Sequence, residues 1–78
     1  MQVTREDIIA AIKQAKVHEA PENLRPDVKL TDQGIDSLGM FSVILSIQEK
    51  YGIEIPDDDI DLLNTIDDLT RYIGIKFR

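Results

Sequence analysis

Apolar residues recur three and four positions apart over several stretches of this chain, which is the spacing of one face of an α-helix. In the first stretch, Ile8 and Ile12 follow Thr4, a residue type that caps helix N-termini. Asp7 stands three residues after Thr4, where a carboxylate complements the helix dipole. The pattern predicts a first helix over residues 5–17.

The clearest helical pattern covers residues 37–51, between Asp36 as an N-cap and Gly52 as a left-handed end residue. One stripe of this helix is wide enough to face the core and consists of Met40, Val43, Ile44, Ile47 and Tyr51. A second apolar stripe lies on a neighbouring side and consists of Leu38, Phe41 and Leu45. The second stripe either packs beneath a loop or forms a docking face for a partner protein.

Two further helices are expected towards the C-terminal end. Pro56 opens a short helix over residues 57–63, because proline suits the first position of a helix. Thr65 then caps a final helix, which Gly74 should end. The apolar positions of the final helix are Ile66, Leu69, Tyr72 and Ile73.

Residues 18–36, between the first two long helices, contain prolines and a glycine but also spaced apolar anchors. Those anchors are Leu24, Val28, Leu30 and Ile35. They indicate an ordered loop packed over the helices, and a loop of this length is usually functional. The expected fold is all-α: a small four-helix bundle in one domain over residues 1–78, with three main helices, one short helix and a long loop between the first two helices.

Composition narrows the function classes. Fifteen acidic and nine basic residues leave a net charge of −6, which repels nucleic acids and anionic lipid surfaces and attracts basic protein surfaces. The chain has no cysteine, a single histidine, His18, and no apolar run long enough for a membrane span. These features favour a cytoplasmic protein without catalytic residues or a metal site.

Ser37 stands at the start of the predicted second helix. The free N–H groups and positive dipole end of a helix favour a phosphate ester at such a position. An exposed serine that simply begins the helix is the plainer interpretation. The residues by themselves leave both open.

Residues 34–38 read Gly-Ile-Asp-Ser-Leu, after a long loop and at the start of an apolar helix. This run resembles the attachment motif of acyl carrier proteins, Gly-x-Asp-Ser-Leu. The resemblance extends over nearly the whole chain and includes Leu30, Asp32, the passage 51–56 and residues 65–73. It implies that Ser37 receives 4′-phosphopantetheine from coenzyme A through a separate magnesium-dependent transferase, and that the chain carries acyl thioesters and is not an enzyme.

The resemblance also implies roles for other residues. Asp36 would be recognised by the phosphopantetheinyl transferase, and the stripe of Leu38, Phe41 and Leu45, with Glu49, would contact acyl-handling synthases, ligases or transferases through basic docking patches. The carrier itself is expected to be monomeric. Since acyl chains in such carriers slip between helices, a pocket is expected from Met40, Val43, Ile44, Ile47, Ile60, Leu62 and Leu69.

Several positions depart from the family pattern. Gly39, Ser42 and Gln48 stand where many fatty-acid carriers have acidic residues, which leaves Glu49 and the flanking Asp36 as the acids of this helix. A face with so little charge favours partners in a specialised pathway. Gly39, a poor helix former, together with Gln33 also predicts a more mobile start of the helix.

Two other protein classes, calcium-binding proteins and serine hydrolases, fit the sequence poorly. Asp57, Asp59 and Asp61 are spaced like calcium ligands, but Leu62 stands where an EF-hand loop needs glycine. A serine hydrolase would need a base for Ser37, yet the only histidine is His18, and the sequence has neither the Gly-x-Ser-x-Gly motif nor room for an oxyanion site. Two alternatives remain: an aminoacyl or peptidyl carrier, and an unmodified helical interaction module, for which Ser37→Ala would leave function intact.

Overall fold

The computed structural model describes residues 2–76, and over that range the chain is helical with no β-strand. The four α-helices are α1 (Arg5–Ala15), α2 (Ser37–Tyr51), α3 (Asp57–Ile60) and α4 (Ile66–Lys76), and two 3₁₀ turns lie at Pro21–Asn23 and Leu30–Gln33. The predicted all-α class, with three longer helices and one short helix, is confirmed. None of the helices in this range is long and apolar enough to cross a membrane.

Helix α1 begins where the sequence predicts and ends earlier. The Thr4 hydroxyl accepts a hydrogen bond from the Asp7 N–H (3.3 Å), and the Asp7 carboxylate accepts one from the Thr4 N–H (2.9 Å). This reciprocal capping box satisfies two backbone donors that the helix leaves free. The predicted end at residue 17 is wrong, because Lys16 has a φ of 57° and this left-handed conformation ends the helix at Ala15.

Helix α2 has the predicted bounds. Asp36 caps its first turn, and Gly52 ends it with a φ of 64° and a hydrogen bond from its N–H to the Gln48 carbonyl. Val43, Ile44 and Ile47 are buried in the core as expected. Met40 and Tyr51, the other members of the predicted core stripe, are half-buried against it.

The two C-terminal helices differ from the prediction at their ends. Helix α3 stops at Ile60 instead of residue 63, because the Leu62 and Leu63 N–H groups bond back only three residues and form turns. Gly74 does not end α4, which continues to Lys76. A glycine inside a helix costs only about 1 kcal/mol, and the burial of Ile73 on the core side holds the helix together.

The long loop packs onto the helices through its apolar anchors. Leu24, Leu30 and Ile35 are buried, and Val28 is partly buried, as the pattern predicts. The Leu30 N–H donates to the Asn64 carbonyl over 2.9 Å, which ties the loop to the segment before α4. The loop is therefore fixed at several points before it reaches α2.

Candidate functional site

Ser37 is the first residue of α2 and is exposed. Asp36, in extended conformation just before it, accepts a 2.7 Å hydrogen bond from the Gly39 N–H through its Oδ1 atom. The N–H groups of Ser37 and Leu38 have no acceptor within the helix, because they belong to its first turn. Within residues 2–76 the Ser37 hydroxyl makes no hydrogen bond, so it stands free at the positive end of α2.

The end of the loop sets the position of Ser37. Gly34 has a φ of 95° and ends the 3₁₀ turn, with its N–H bonded to the Leu30 carbonyl. The Ile35 N–H bonds to the same carbonyl over 3.2 Å, and the Ile35 side chain is only 1% exposed. Since Ile35 is anchored in the core two residues before Ser37, it fixes the position at which α2 begins.

Gln33 holds the loop by its side chain. Its amide Nε2 donates to the carbonyls of Arg25 and Val28, both over 2.9 Å, and its Oε1 accepts from the Arg25 N–H over 2.6 Å. The sequence pattern predicts a mobile helix start at Gln33 and Gly39, whereas the contacts of Gln33 fasten the loop before the helix. Because these partners are backbone groups eight and five residues away, no local pattern indicated them.

A groove of about 310 Å³ opens beside Ser37, between α2 and the segment that contains α3. Its lining consists of Thr31, Ser37, Met40, Phe41, Ile60, Asp61, Leu63 and Asn64. Two of the predicted pocket residues, Met40 and Ile60, line this groove. The others that are buried, Val43, Ile44, Ile47 and Leu69, belong to the core.

Leu62 is the exception among the predicted pocket residues. It is 67% exposed and lines a different groove with Tyr72 and Ile75, so its placement in the interior is wrong. The inward-facing neighbour is Leu63, which is 3% exposed and lines the groove beside Ser37. The turn that follows α3, in which the Leu63 N–H bonds to the Ile60 carbonyl, reverses which leucine points inward.

The second apolar stripe of α2 lies on the surface. Leu38 is 78% exposed, Phe41 54% and Leu45 41%, so the idea that it packs beneath the loop is wrong. Glu49 is exposed further along the helix. We call Leu38, Phe41 and Leu45 the apolar face of α2.

Two of the α2 positions that depart from the acidic pattern of many fatty-acid carriers, Gly39 and Gln48, have structural roles. Gly39 is buried at the start of the helix. The Gln48 side-chain oxygen accepts a 2.7 Å hydrogen bond from the Ile55 N–H and so fixes the segment after α2. A carboxylate at position 48 would keep this acceptor but add a charge beside the core. These residues therefore serve packing and backbone bonding.

The acidic residues towards the C-terminal end form no metal site. Asp59 accepts a 2.6 Å hydrogen bond from the Tyr72 hydroxyl, and Asp68 caps α4 by accepting from the N–H groups of Asn64 and Thr65. Across the described part of the chain, no group of three or more potential ligands is positioned to hold a metal ion. His18 is engaged locally, since its Nδ1 accepts from the Ala20 N–H.

The chain is similar to known proteins over most of its length. The family model for the phosphopantetheine attachment site matches residues 7–73. The meromycolate extension acyl carrier protein of Mycobacterium tuberculosis is 37% identical, over 94% of this chain and 67% of that protein. The acyl carrier proteins of Renibacterium salmoninarum and Tropheryma whipplei are 34% and 36% identical, over 91% and 94% of this chain and 93% and 94% of those proteins.

The matched range, residues 7–73, contains α2 and the groove beside Ser37. The chain belongs to the acyl carrier protein family. Its cofactor is 4′-phosphopantetheine, and it is a carrier and not an enzyme. Carriers of this family interact with a phosphopantetheinyl transferase and with acyl-handling enzymes.

Proposed function

We propose that Ser37 bears the 4′-phosphopantetheine arm and that the arm holds acyl chains as thioesters during fatty acid, lipid or polyketide-type biosynthesis. The observation that carries this assignment is the free, exposed Ser37 hydroxyl at the positive end of a capped helix. The carrier acts as one cytoplasmic, monomeric domain over residues 1–78. The relatives' common name, acyl carrier protein, favours acyl cargo over aminoacyl cargo.

The residues around Ser37 fit the attachment of a phosphodiester. In the transfer, the Ser37 Oγ bonds to the phosphorus next to pantetheine, and the diphosphate bond of coenzyme A breaks. Adenosine 3′,5′-bisphosphate leaves, and the hydroxyl proton passes to a base on the transferase. The free N–H groups of Ser37 and Leu38 then face a phosphate anion at the helix N-terminus, where it is favoured.

Asp36 keeps the first turn of α2 in place during this transfer. Its Oδ1 is held by the Gly39 N–H, while the residue itself is exposed and accessible to the transferase. The bound arm supplies a thiol that keeps the acyl carbon activated and lets one cargo visit several active sites at high effective concentration. The protein supplies attachment and presentation.

The groove beside Ser37 is the proposed entry for acyl chains. Met40 and Ile60 are half-buried on its walls, and Leu63 lies at its inner side. A chain that enters between these side chains would next meet the buried residues Val43, Ile44, Ile47 and Leu69. The volume of about 310 Å³ is at the lower end of the range for small-molecule sites, which suits a short or partly inserted chain.

The apolar face of α2 is the proposed docking site for partner enzymes. Exposed large apolar side chains that lie together on one helix mark interaction surfaces, and this face begins one residue after Ser37. Asp36 and Glu49 lie at its two ends, and the chain has a net charge of −6. Partners should therefore offer an apolar pocket with basic residues at its rim.

The proposed pathway is a specialised one. Gly39, Ser42 and Gln48 leave the docking helix with little charge, which supports partners chosen for this face. One of the relatives is a carrier named for meromycolate extension. We propose lipid biosynthesis outside the main fatty-acid cycle.

Intact-mass measurement tests the attachment. The protein is incubated with coenzyme A, magnesium and a broad-specificity phosphopantetheinyl transferase, and the mass gain is read for the wild type and for Ser37→Ala. The chain's other serines, Ser42 and Ser46, lie on the same helix and provide matched alanine controls. One arm on the wild type and on both controls, and none on Ser37→Ala, is expected. Unchanged wild-type mass, or an arm on Ser37→Ala, would overturn the assignment.

A further inference from the structure

Gly39 lies where three parts of the chain converge. It is the third residue of α2, it is buried, and its N–H is bound by Asp36. A Cβ atom built on Gly39 would lie 2.8 Å from the Cγ2 of Ile35 and 3.4 Å from the Cβ of Val17. It would also lie 3.2 Å from the Oδ1 of Asp36. The segment after α1, the end of the loop and the start of α2 thus meet over a position without a side chain.

Two of these neighbours, Ile35 and Asp36, are held in place. Ile35 is 1% exposed, and its side chain belongs to the core. The Asp36 oxygen is already bound to the N–H of Gly39 itself. Carbon atoms pack best at about 3.5–4.0 Å, so a methyl group at position 39 needs a displacement of about 0.7 Å or more from Ile35. Asp36, Ser37 and Leu38 connect the two clashing residues, so a shift of the backbone at Ile35 or Gly39 also moves Ser37.

We propose that Gly39 is a positioning residue for the modification of Ser37. Without a side chain at this position, Ile35 and Val17 close against the first turn of α2, and their contact fixes where the Ser37 hydroxyl stands relative to the apolar face. This inference rests on the proposed function of Ser37. In this proposal Gly39 sets the position of the nucleophile, and the side chains of the apolar face bind the transferase.

The assignment predicts a specific kinetic signature. A displacement of this size at the nucleophile lowers the rate of a group transfer, since a misplacement of about 1 Å can cost about 100-fold. Gly39→Ala should therefore reduce kcat for arm transfer by about 10-fold to 100-fold. The KM for the carrier should stay within about two-fold, because the exposed side chains of the docking face are unchanged.

Gly74→Ala is the matched control. Gly74 also lies inside a helix, but a Cβ there meets no atom within 4 Å. This variant should be loaded with wild-type kcat and KM. Thermal unfolding of both variants separates the two positions further: alanine should raise the midpoint at Gly74 through helix propensity and lower it at Gly39 through the clash.

A second substitution tests the contact itself. Ile35→Leu removes the Cγ2 methyl group and keeps the side-chain volume, so Gly39→Ala combined with Ile35→Leu should regain most of the lost kcat. The transferase, coenzyme A and magnesium are the only reagents needed. Wild-type kcat in Gly39→Ala would overturn the proposal, as would a double variant that fails to fold or does not regain kcat. If the wild type takes up no arm, the proposed function fails first, and the inference fails with it.

Discussion

The Oδ1 atom of Asp36 accepts a 2.7 Å hydrogen bond from the N–H of Gly39, and this bond spans Ser37. The residue that precedes the attachment serine is thus also the cap of the helix that presents it. Its backbone carbonyl contributes as well, by accepting from the Met40 N–H over 2.9 Å. A test of Asp36 in partner recognition must therefore separate the effect of its negative charge from its role as the N-cap of α2.

Asp36→Ala should destabilise the fold by about 1 kcal/mol, the usual cost of a lost N-cap. Asp36→Asn keeps an equally good capping oxygen and should stay within about 0.5 kcal/mol of the wild type. Urea unfolding gives both free energies of unfolding. If Asp36→Asn is as unstable as Asp36→Ala, the capping bond is not what Asp36 contributes to stability. Slow loading of a stable Asp36→Asn would show that the transferase recognises the charge.

Phe41→Ala should weaken docking and hardly change stability. Phe41 is 54% exposed, so truncation should lower the free energy of unfolding by no more than about 1 kcal/mol, while KM for loading rises about five-fold or more as an anchor is lost. Ile44→Val, on the buried side of the same helix, should cost about 1 kcal/mol of stability with KM unchanged. An unchanged KM in Phe41→Ala would argue against the apolar face as the docking site.

The stability of the fold should decline in alkaline solution because of Tyr72. Burial raises the pKa of Tyr72 to about 12, and the hydrogen bond to Asp59 adds to the shift. An unfolded tyrosine loses its proton near pH 10, so between pH 10 and 12 the unfolded state holds fewer protons than the folded state. The contribution of Tyr72 to the free energy of unfolding is therefore fully present below pH 10 and is lost as the pH rises towards 12.

Tyr72→Phe tests this decline through urea midpoints at pH 9 and pH 11. Because the variant lacks the hydrogen bond to Asp59, its free energy of unfolding should be about 1 kcal/mol lower at neutral pH. Its urea midpoint should fall less steeply than that of the wild type between the two pH values. A smaller decline should remain, because burial, and secondarily the charge of Asp7, also raise the pKa of Tyr51. If the midpoint of Tyr72→Phe falls as much as that of the wild type between pH 9 and pH 11, Tyr72 is not the source of the alkaline loss of stability.

Gln33→Ala should loosen the loop before Ser37. The substitution removes three hydrogen bonds to the backbone of Arg25 and Val28, and we expect a loss of about 1–2 kcal/mol with faster amide exchange at Ile35. Thr31→Ala is the control, since Thr31 is exposed and its side chain makes no hydrogen bond within residues 2–76. Equal exchange rates in the two variants would contradict the role given to Gln33.

Local signals in the sequence were sufficient for the helix starts and for the end of α2. Thr4, Asp36 and Thr65 cap helices through partners three residues away, and Gly52 adopts the left-handed conformation that glycine favours. These contacts lie within one turn of helix, so composition and spacing reveal them. The attachment motif around Ser37 is local for the same reason.

The remaining features depend on contacts that spacing does not encode. Helix α3 is a single turn, which is too short for the apolar spacing to show which side of the helix faces the core. The spacing therefore points to Leu62 as the inward residue, whereas Leu63 is the buried one. Lys16 ends α1 although it is not a glycine. The closeness of Gly39 to Ile35 and Val17 arises only when loop, α1 and α2 are packed together.

In the proposed function, Ser37 carries cargo through the arm. The most direct measurement loads the protein with an acyl-bearing arm from acyl-coenzyme A and the transferase, fragments it in the mass spectrometer, and repeats the analysis after hydroxylamine treatment. We expect the acyl-phosphopantetheine mass on Ser37 alone, and we expect hydroxylamine to remove the acyl group and leave the arm, as for a thioester. Mass on another residue, or an acyl group that resists hydroxylamine, would contradict the proposed function.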